Sequence, residues 1–172
     1  MIIRQHAGPV SGKDSMTSEQ KDSFSSGYRI VDLPIGFELW RFVSRKEDNR
    51  FGAFWISCDT MQNIMQTLHA NNNFSQVYIK ENLRNSLAIL NEWSNVNWRL
   101  KIRLSKEVIA YAGATASQKQ FKMETNNSSF GGGKMLKVTE TRIGRMEQYI
   151  IPGFRNLSDN NSFAKIEVFV HI

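Results

Sequence analysis

Cysteine is nearly absent from this chain of 172 residues, in which Cys58 is the single example. One cysteine excludes an internal disulfide and a cysteine-rich zinc site, so the sequence suits a reducing compartment. The three histidines, His6, His69 and His171, are far apart and lack the spacing of a metal-binding helix. We therefore expect no metal ion in the functional site.

Long apolar runs are also missing, and no stretch is long enough to cross a membrane. The N-terminus lacks the basic and apolar regions of a signal peptide. We therefore expect no membrane association. If the protein acts outside the cell that makes it, a carrier must deliver it.

The composition is that of a folded, basic protein. Hydrophobic residues make up 41% of the chain, and the formal net charge of +6 favours an acidic ligand or partner, such as a nucleotide, a nucleic acid or an acidic protein. Residues 1–27 are polar with few large apolar side chains, which predicts a flexible N-terminal tail or linker. Residues 28–172 then form one domain.

An early strand carries an unusual arginine. The stretch from Phe37 to Ser44 alternates so that Phe37, Leu39 and Val43 share one face with Arg41. An unpaired guanidinium in an apolar row is costly to bury. Arg41 therefore lies at the mouth of a cleft that holds an anion, or is paired with a carboxylate, unless it is simply an exposed edge residue.

The remaining pattern predicts an α+β arrangement rather than alternating βαβ units, which disfavours a Rossmann fold. Residues 45–50 predict a charged hairpin loop, and residues 114–133 a long polar loop. A first helix has the apolar stripe Met61, Ile64, Met65 and Leu68 with Ser57 or Asp59 as N-cap, and a second runs from about Ser75 or Lys80 to Trp93. Strands are predicted at Phe51–Ser57, Trp98–Leu104, Val108–Tyr111, Leu136–Ile143, Gln148–Ile151 and Ile166–Ile172.

The late strand ends at Pro152 and Gly153, because proline gives no ladder hydrogen bond and glycine favours a turn. Side-chain alternation places Gln148 on one face of this strand, with Glu147 and Tyr149 on the other.

This layout resembles the ADP-ribosyltransferase superfamily. In that family an early strand carries Arg or His, a following strand carries Ser or Tyr, and a late strand carries a catalytic glutamate followed by apolar residues. The resemblance places Arg41 at the first position, Ser57 or Phe54 at the second, and Gln148 at the third. The implied fold is a split β-sandwich with two helices between the early and late strands.

One subgroup also carries glutamine at the third position. The motifs Arg41-Phe42, Gly52-Ala53-Phe54, Gly131-Gly132-Gly133 and Gln148-Tyr149 occur here in the order found in the tuberculosis necrotizing toxin-like NAD glycohydrolases. The resemblance covers roughly residues 37–152. It implies an NAD-consuming toxin or effector domain that cleaves the nicotinamide–ribose bond, with NAD as substrate rather than resident cofactor.

The same resemblance implies residue roles. Arg41 and Gln148 are the catalytic pair, with Arg41 also holding the pyrophosphate. Glu147 and His69 are further candidates. Expected substrate-binding residues are Arg41, Phe42, Ser57, Phe54, Trp55 and Tyr149. The resemblance also implies a cognate immunity protein and a domain that is secreted or delivered within a larger effector to act in the target-cell cytoplasm.

Three alternatives stay open. A mono-ADP-ribosyltransferase would have the same fold and modify a protein. A basic nuclease or RNA-binding module would use the dispersed cations and two tryptophans, namely Arg99, Lys101, Arg103, Arg142, Arg145, Trp93 and Trp98. A structural domain without catalysis is the third. The preferred interpretation involves no nucleic acid.

Overall fold

The computed structural model describes residues 16–44, 52–90, 93–125, 134–154 and 163–172. These residues form an α+β fold. In chain order its elements are α1 (Ser18–Asp22), β1 (Arg29–Leu33), β2 (Glu38–Val43), β3 (Phe54–Ser57), α2 (Cys58–Ala70), α3 (Gln76–Leu87), β4 (Trp98–Leu104), β5 (Val108–Ala114), β6 (Gln118–Thr125), β7 (Lys134–Arg142), β8 (Glu147–Ile150) and β9 (Ala164–His171).

The main sheet has seven strands in the order β1-β5-β8-β3-β2-β4-β9, and each pair is antiparallel. The short strand β3 divides it, because Phe54 and Trp55 pair with β8 whereas Ile56 and Ser57 pair with β2. One core cluster joins buried residues from both halves of the sheet. The predicted split β-sandwich, with two helices between its early and late strands, is confirmed.

Helix α2 follows the predicted pattern closely. The Ser57 hydroxyl accepts a hydrogen bond from the Thr60 backbone N–H, so Ser57 is the N-cap. Met61, Ile64 and Leu68 lie one to two turns apart and are buried against the sheet. The helix therefore covers one face of β2 and β3.

Helix α3 is shorter than predicted. It ends at Leu87 rather than at Trp93, because Ala88 adopts the left-handed conformation with φ of 53°. The Arg84 guanidinium donates to the Ser94 carbonyl oxygen at 2.6 Å and holds the chain beyond the helix. Leu90 and Trp93 continue the helical spacing of apolar residues in the sequence, but the helix itself has already ended.

The predicted loop over residues 114–133 is wrong for its first half. Strand β5 continues to Ala114, and β6 pairs with β7 in a separate two-stranded sheet. Phe121 lies opposite Val138 and Met123 opposite Leu136, yet these four side chains are exposed. Cross-strand pairing rather than core burial therefore defines this hairpin. The glycines at 131–133 lie outside the described residues, as does the predicted loop at 45–50.

The predicted tail is also too long. Residues 1–15 lie outside the described part of the chain, but Met16 and Phe24 are buried in a core cluster with Ile150. Helix α1 begins with a capping box between Thr17 and Gln20, and Phe24 forms a β-bridge with Thr115. The segment 16–27 is thus part of the domain.

The alternating cations of β4 are engaged with carboxylates. Lys101 forms ion pairs with Glu38 at 2.9 Å and Glu167 at 3.2 Å, and Arg103 pairs with the same two side chains. The hydrogen bond from Lys101 holds the pKa of Glu38 below its usual range. Burial raises the pKa of the nearby Cys58 thiol, which donates to Glu38.

Two negative findings apply to the residues described above. Among them, no helix has the length and apolar character needed to cross a membrane. In the same ranges, no group of three or more His, Cys, Asp or Glu side chains is placed to hold a metal ion.

Candidate active-site cleft

A cleft with a volume of about 580 Å³ lies where β3 joins the two halves of the sheet. Its walls come from α1, from the three strands at the junction, from the chain after α3 and from the start of the β6–β7 hairpin. The lining residues are Glu19, Asp22, Ser23, Trp40, Arg41, Phe42, Phe54, Trp55, Ile56, Leu87, Ala88, Ile89, Trp93, Ser94, Thr115, Ala116, Gln118 and Gln148.

Five of the residues expected at the site line this one cleft. They come from β2, β3 and β8, which are adjacent in the sheet although β8 is far from the other two in sequence: Arg41, Phe42, Phe54, Trp55 and Gln148. The other four expected residues, Ser57, Tyr149, Glu147 and His69, are not among the lining residues.

Arg41 follows the point at which β2 stops pairing with β3. Leu39 and Trp40 pair with β3, but Arg41 does not, and its Nη1 donates to the Phe54 carbonyl oxygen at 2.8 Å. The guanidinium carbon lies 5.9 Å from the Trp55 ring centroid. Arg41 is thus held on the cleft wall beside the opening between the two strands.

Gln148 is the only buried amide on the cleft wall among the described residues, with 6% of its surface exposed. Its Nε2 donates to the Ser23 carbonyl oxygen and to the Ser23 Oγ, each at 3.0 Å. Helix α1 and strand β8 therefore meet at this side chain. A carbonyl oxygen accepts hydrogen bonds only, so the amide group of Gln148 must point its nitrogen toward Ser23.

Aromatic side chains line much of the cleft. Phe54 and Trp93 are 40% and 56% exposed, whereas Trp55 is fully buried and donates from Nε1 to the Gly52 carbonyl oxygen at 2.7 Å. Exposed aromatic faces beside polar groups are suited to stack on a planar ring of a ligand.

Thr115 lines the cleft, but its hydroxyl oxygen is enclosed beside Gly144 and does not face the ligand space. The residue is 2% exposed, and its Oγ1 has no hydrogen-bond partner within the described ranges. A buried hydroxyl without a partner is costly, so each one in a native protein calls for an explanation.

The four expected residues outside the cleft have local structural contacts. Ser57 caps α2, and the Tyr149 ring packs edge-on against Phe37 at 5.8 Å between centroids. Burial raises the pKa of Tyr149, and the neighbouring Glu147 carboxylate adds to that effect.

Glu147 points away from the cleft and forms an ion pair with Arg29 at 2.5 Å. His69 lies near the C-terminus of α2 with its ring 5.2 Å from that of Phe74. The structure thus separates Gln148 from Glu147 as the alternation of the strand predicted.

Sequence analysis did not identify several residues on the cleft wall. Ser23, with Glu19 and Asp22 on α1, lay in the segment interpreted as a tail, and no sequence signal connects them with Gln148. Trp93 is predicted at a helix end and is a candidate only in the nucleic-acid alternative, not in the NAD site. Its position as a large aromatic residue in a polar stretch was the one available signal.

No protein-family model matches the sequence, and no curated protein matches it. Solved structures similar to the chain include Rhs1-CT in complex with its cognate immunity protein RhsI1, with 14% identity, a TM-score of 0.52, and coverage of 87% of this chain and 84% of that one. Another is Tne2 in complex with Tni2, with 15% identity, a TM-score of 0.47, and coverage of 87% and 97%. At 14% identity the similarity to Rhs1-CT is a similarity of fold: the chain shares the fold of Rhs1-CT.

Proposed function

We propose that this chain is a toxin domain that hydrolyses the bond between nicotinamide and ribose in NAD. The observation that carries the proposal is that Arg41 and Gln148 line one cleft together with Phe54 and Trp55. The resemblance to NAD glycohydrolases implies a site role for each of these residues.

The cleft has the properties of a nucleotide site. Its volume of about 580 Å³ lies within the range of about 300–1,000 Å³ that is usual for small-molecule sites. It combines apolar and aromatic walls with a few polar groups, which is the composition expected when a ligand has both flat rings and charged groups.

Each end of NAD has a suitable partner in this proposal. The Arg41 guanidinium supplies a fork of donors for the pyrophosphate, an anion that guanidinium groups bind by charge-assisted hydrogen bonds. Phe54 and Trp93 offer exposed rings against which nicotinamide or adenine can stack.

The proposed reaction is a substitution at C1′ of the nicotinamide ribose. The bond from C1′ to the nicotinamide nitrogen breaks, and its electron pair leaves with neutral nicotinamide. Water forms the new bond to C1′ and loses a proton, so NAD and water give ADP-ribose, nicotinamide and a proton. The transition state resembles an oxocarbenium ion, as in other glycoside hydrolyses.

Gln148 acts on this transition state through its amide oxygen. The partial negative charge of Oε1 stabilises the positive charge that develops on the ribose, or accepts a hydrogen bond from a ribose hydroxyl or the attacking water. A neutral amide does not remove a proton from a protein nucleophile. The proposal therefore prefers hydrolysis to transfer, since Glu147 is paired with Arg29 outside the cleft.

A nucleic-acid substrate is less well supported. Lys101 and Arg103 are engaged with two carboxylates on the β4 face, and Arg142 pairs with Glu81 and Glu140. Cations held in this way form local networks rather than a row of phosphate ligands.

The partner and the delivery are part of the same proposal. Rhs1-CT, which shares this fold, was solved with a cognate immunity protein, and an immunity protein is one that neutralises a toxin. We extend that relationship to this chain and propose delivery to a target cell, with a cognate immunity protein in the producing cell.

Incubation of the purified protein with NAD labelled in its adenine half tests the proposal. We expect free labelled ADP-ribose, unlabelled nicotinamide and no label on protein. Label that becomes attached to proteins of an added cell extract would instead support the transferase alternative. Intact NAD beside degraded RNA would support the nuclease.

A further inference from the structure

Resting on the proposed function, we propose that Ser23 is a positioning residue that fixes the orientation of the Gln148 amide and makes glutamine, rather than glutamate, the residue suited to position 148. Ser23 is the C-cap residue of α1, a helix that precedes the strands of the cleft in the chain. We expect Ser23 to affect the rate only through the orientation of Gln148 and to take no direct part in the reaction.

Ser23 presents only hydrogen-bond acceptors to Gln148. Its hydroxyl donates its single proton to the Gln20 carbonyl oxygen at 2.6 Å, so only lone pairs of Oγ remain for Gln148. Its carbonyl oxygen accepts from the Ala116 N–H at 2.7 Å and from Gln148 Nε2 at 3.0 Å. Both contacts require Gln148 to approach with its NH₂ group.

This arrangement decides where the oxygen of Gln148 lies. With Nε2 committed to two acceptors, Oε1 is on the side of the amide away from Ser23, and we assign it to the substrate. Rotation of the amide by 180° would bring Oε1 against two lone-pair groups in a buried site. The orientation is therefore set before the substrate binds, which is the condition for effective electrostatic stabilisation.

The same contacts disfavour a carboxylate. Glutamate is close to glutamine in shape, but an ionised carboxylate has no proton to donate to the carbonyl oxygen or Oγ of Ser23. Its negative charge would face both acceptors with little access to water. The hydrogen-bonding groups of Ser23 therefore suit glutamine at position 148 and do not suit glutamate.

The segment that carries Ser23 is firmly attached to the sheet. The Ser25 N–H donates to the Ala114 carbonyl oxygen at 3.0 Å, and buried Phe24 bridges Thr115. Strand β5, to which the segment is bound, is the direct neighbour of β8. Ser23 and Gln148 are therefore held on two adjacent, paired parts of the fold.

A double-mutant cycle measures whether Ser23 acts through Gln148. We expect Ser23→Ala to lower kcat for NAD about tenfold with KM within about twofold, and Ser23→Thr to recover most of the loss because it keeps the hydroxyl. In a Gln148→Ala background, Ser23→Ala should have no further effect. Ser25→Ala is the matched control, since its exposed hydroxyl contacts Ala114 on the same segment without lining the cleft, and should behave as wild type.

A stability measurement tests the orientation without using catalysis. In Gln148→Glu the folded state disfavours the charged carboxyl, so its pKa rises above the value of about 4.3 in the unfolded chain. Between these two pKa values the folded state binds more protons. The free energy of unfolding, relative to wild type at each pH, therefore falls as pH rises and stays low above the folded pKa.

The two measurements separate failure of the inference from failure of the proposed function. Absence of NAD turnover in the wild type would reject the function, whereas the pH dependence of Gln148→Glu would still test the amide orientation. The inference is overturned if Gln148→Glu is as stable as wild type at pH 7. It is equally overturned if active wild type loses nothing in Ser23→Ala, or if the Ser23→Ala loss persists in the Gln148→Ala background.

Discussion

The guanidinium of Arg41 lies directly against Gly52, at a distance that leaves no room for a side chain. A Cβ atom added at Gly52 would lie 2.0 Å from Arg41 Nη2 and 2.3 Å from Cζ. Gly52 does not have a positive φ, so a side chain is excluded by Arg41 and not by the backbone. The Gly52-Ala53-Phe54 motif therefore serves to place Arg41: the glycine gives it space, and the Phe54 carbonyl oxygen accepts its hydrogen bond.

Gly52→Ala should displace Arg41 without unfolding the protein, because the far end of a flexible side chain can move away. We expect KM for NAD to rise about tenfold or more, since the pyrophosphate partner leaves its position. Steady-state kinetics and thermal unfolding of the same preparation check this. A variant with wild-type KM would show that Arg41 does not need its observed position.

Gly36→Ala is the contrasting control for that variant. Gly36 has a φ of 86° and no atom within 4 Å of an added Cβ, so the substitution strains the backbone and causes no clash. It should lower the free energy of unfolding by about 1 kcal/mol and leave KM unchanged.

Arg41→Ala should remove a charge-assisted contact to the anionic substrate. The expected loss in kcat/KM corresponds to at least about 2 kcal/mol, or about thirtyfold, with the fold retained. Arg29→Ala is the control, because that exposed arginine pairs with Glu147 outside the cleft. Equal effects of the two substitutions would point to net charge instead of a specific site.

Thr115→Val should separate stability from function. Replacing a buried hydroxyl that has no partner in the described chain with a methyl group removes a desolvation cost, so we expect the ligand-free protein to gain about 1 kcal/mol. Because Oγ1 is enclosed beside Gly144, we expect KM for NAD to stay at the wild-type value. Calorimetry and kinetics together decide the matter. A folded variant with a raised KM would show that the hydroxyl does reach the substrate.

The register of β8 is tested by neighbouring substitutions. Gln148→Ala should lower kcat by roughly a hundredfold, comparable to the removal of one preorganised polar group. Glu147→Ala should change kcat little, because its carboxylate contacts Arg29 outside the cleft. The reverse result would make Glu147 the catalytic carboxylate of a transferase.

Alternation and helical periodicity were sufficient to predict much of the fold. The prediction that Arg41 and Gln148 lie on strands is correct. In a half-buried strand, the side chains that face the core are apolar and alternate with those that do not, and this alternation is visible in the sequence. The N-cap Ser57 and the apolar stripe of α2 were also predicted, because a helix cap and a buried helix face each depend on residues that are close together in the sequence. Local patterns also separated Gln148 from Glu147.

Features that depend on distant contacts were not accessible in this way. The segment containing Ser23 is polar and short, and its position depends on Phe24 and Met16 reaching a cluster with Ile150. Strand β6 is recognisable only from its pairing with β7, since both strands expose their apolar residues. The sequence therefore did not predict the part of the cleft wall formed by Glu19, Asp22 and Ser23.

The measurement that tests the central claim most directly is the quantification of NAD, nicotinamide and ADP-ribose over time with wild type and Gln148→Ala at equal concentration. We predict that wild type converts NAD to equimolar nicotinamide and ADP-ribose, and that the folded variant does so at about one hundredth of the rate or less. NAD that remains intact with folded wild type, or equal rates for the two proteins, would contradict the account.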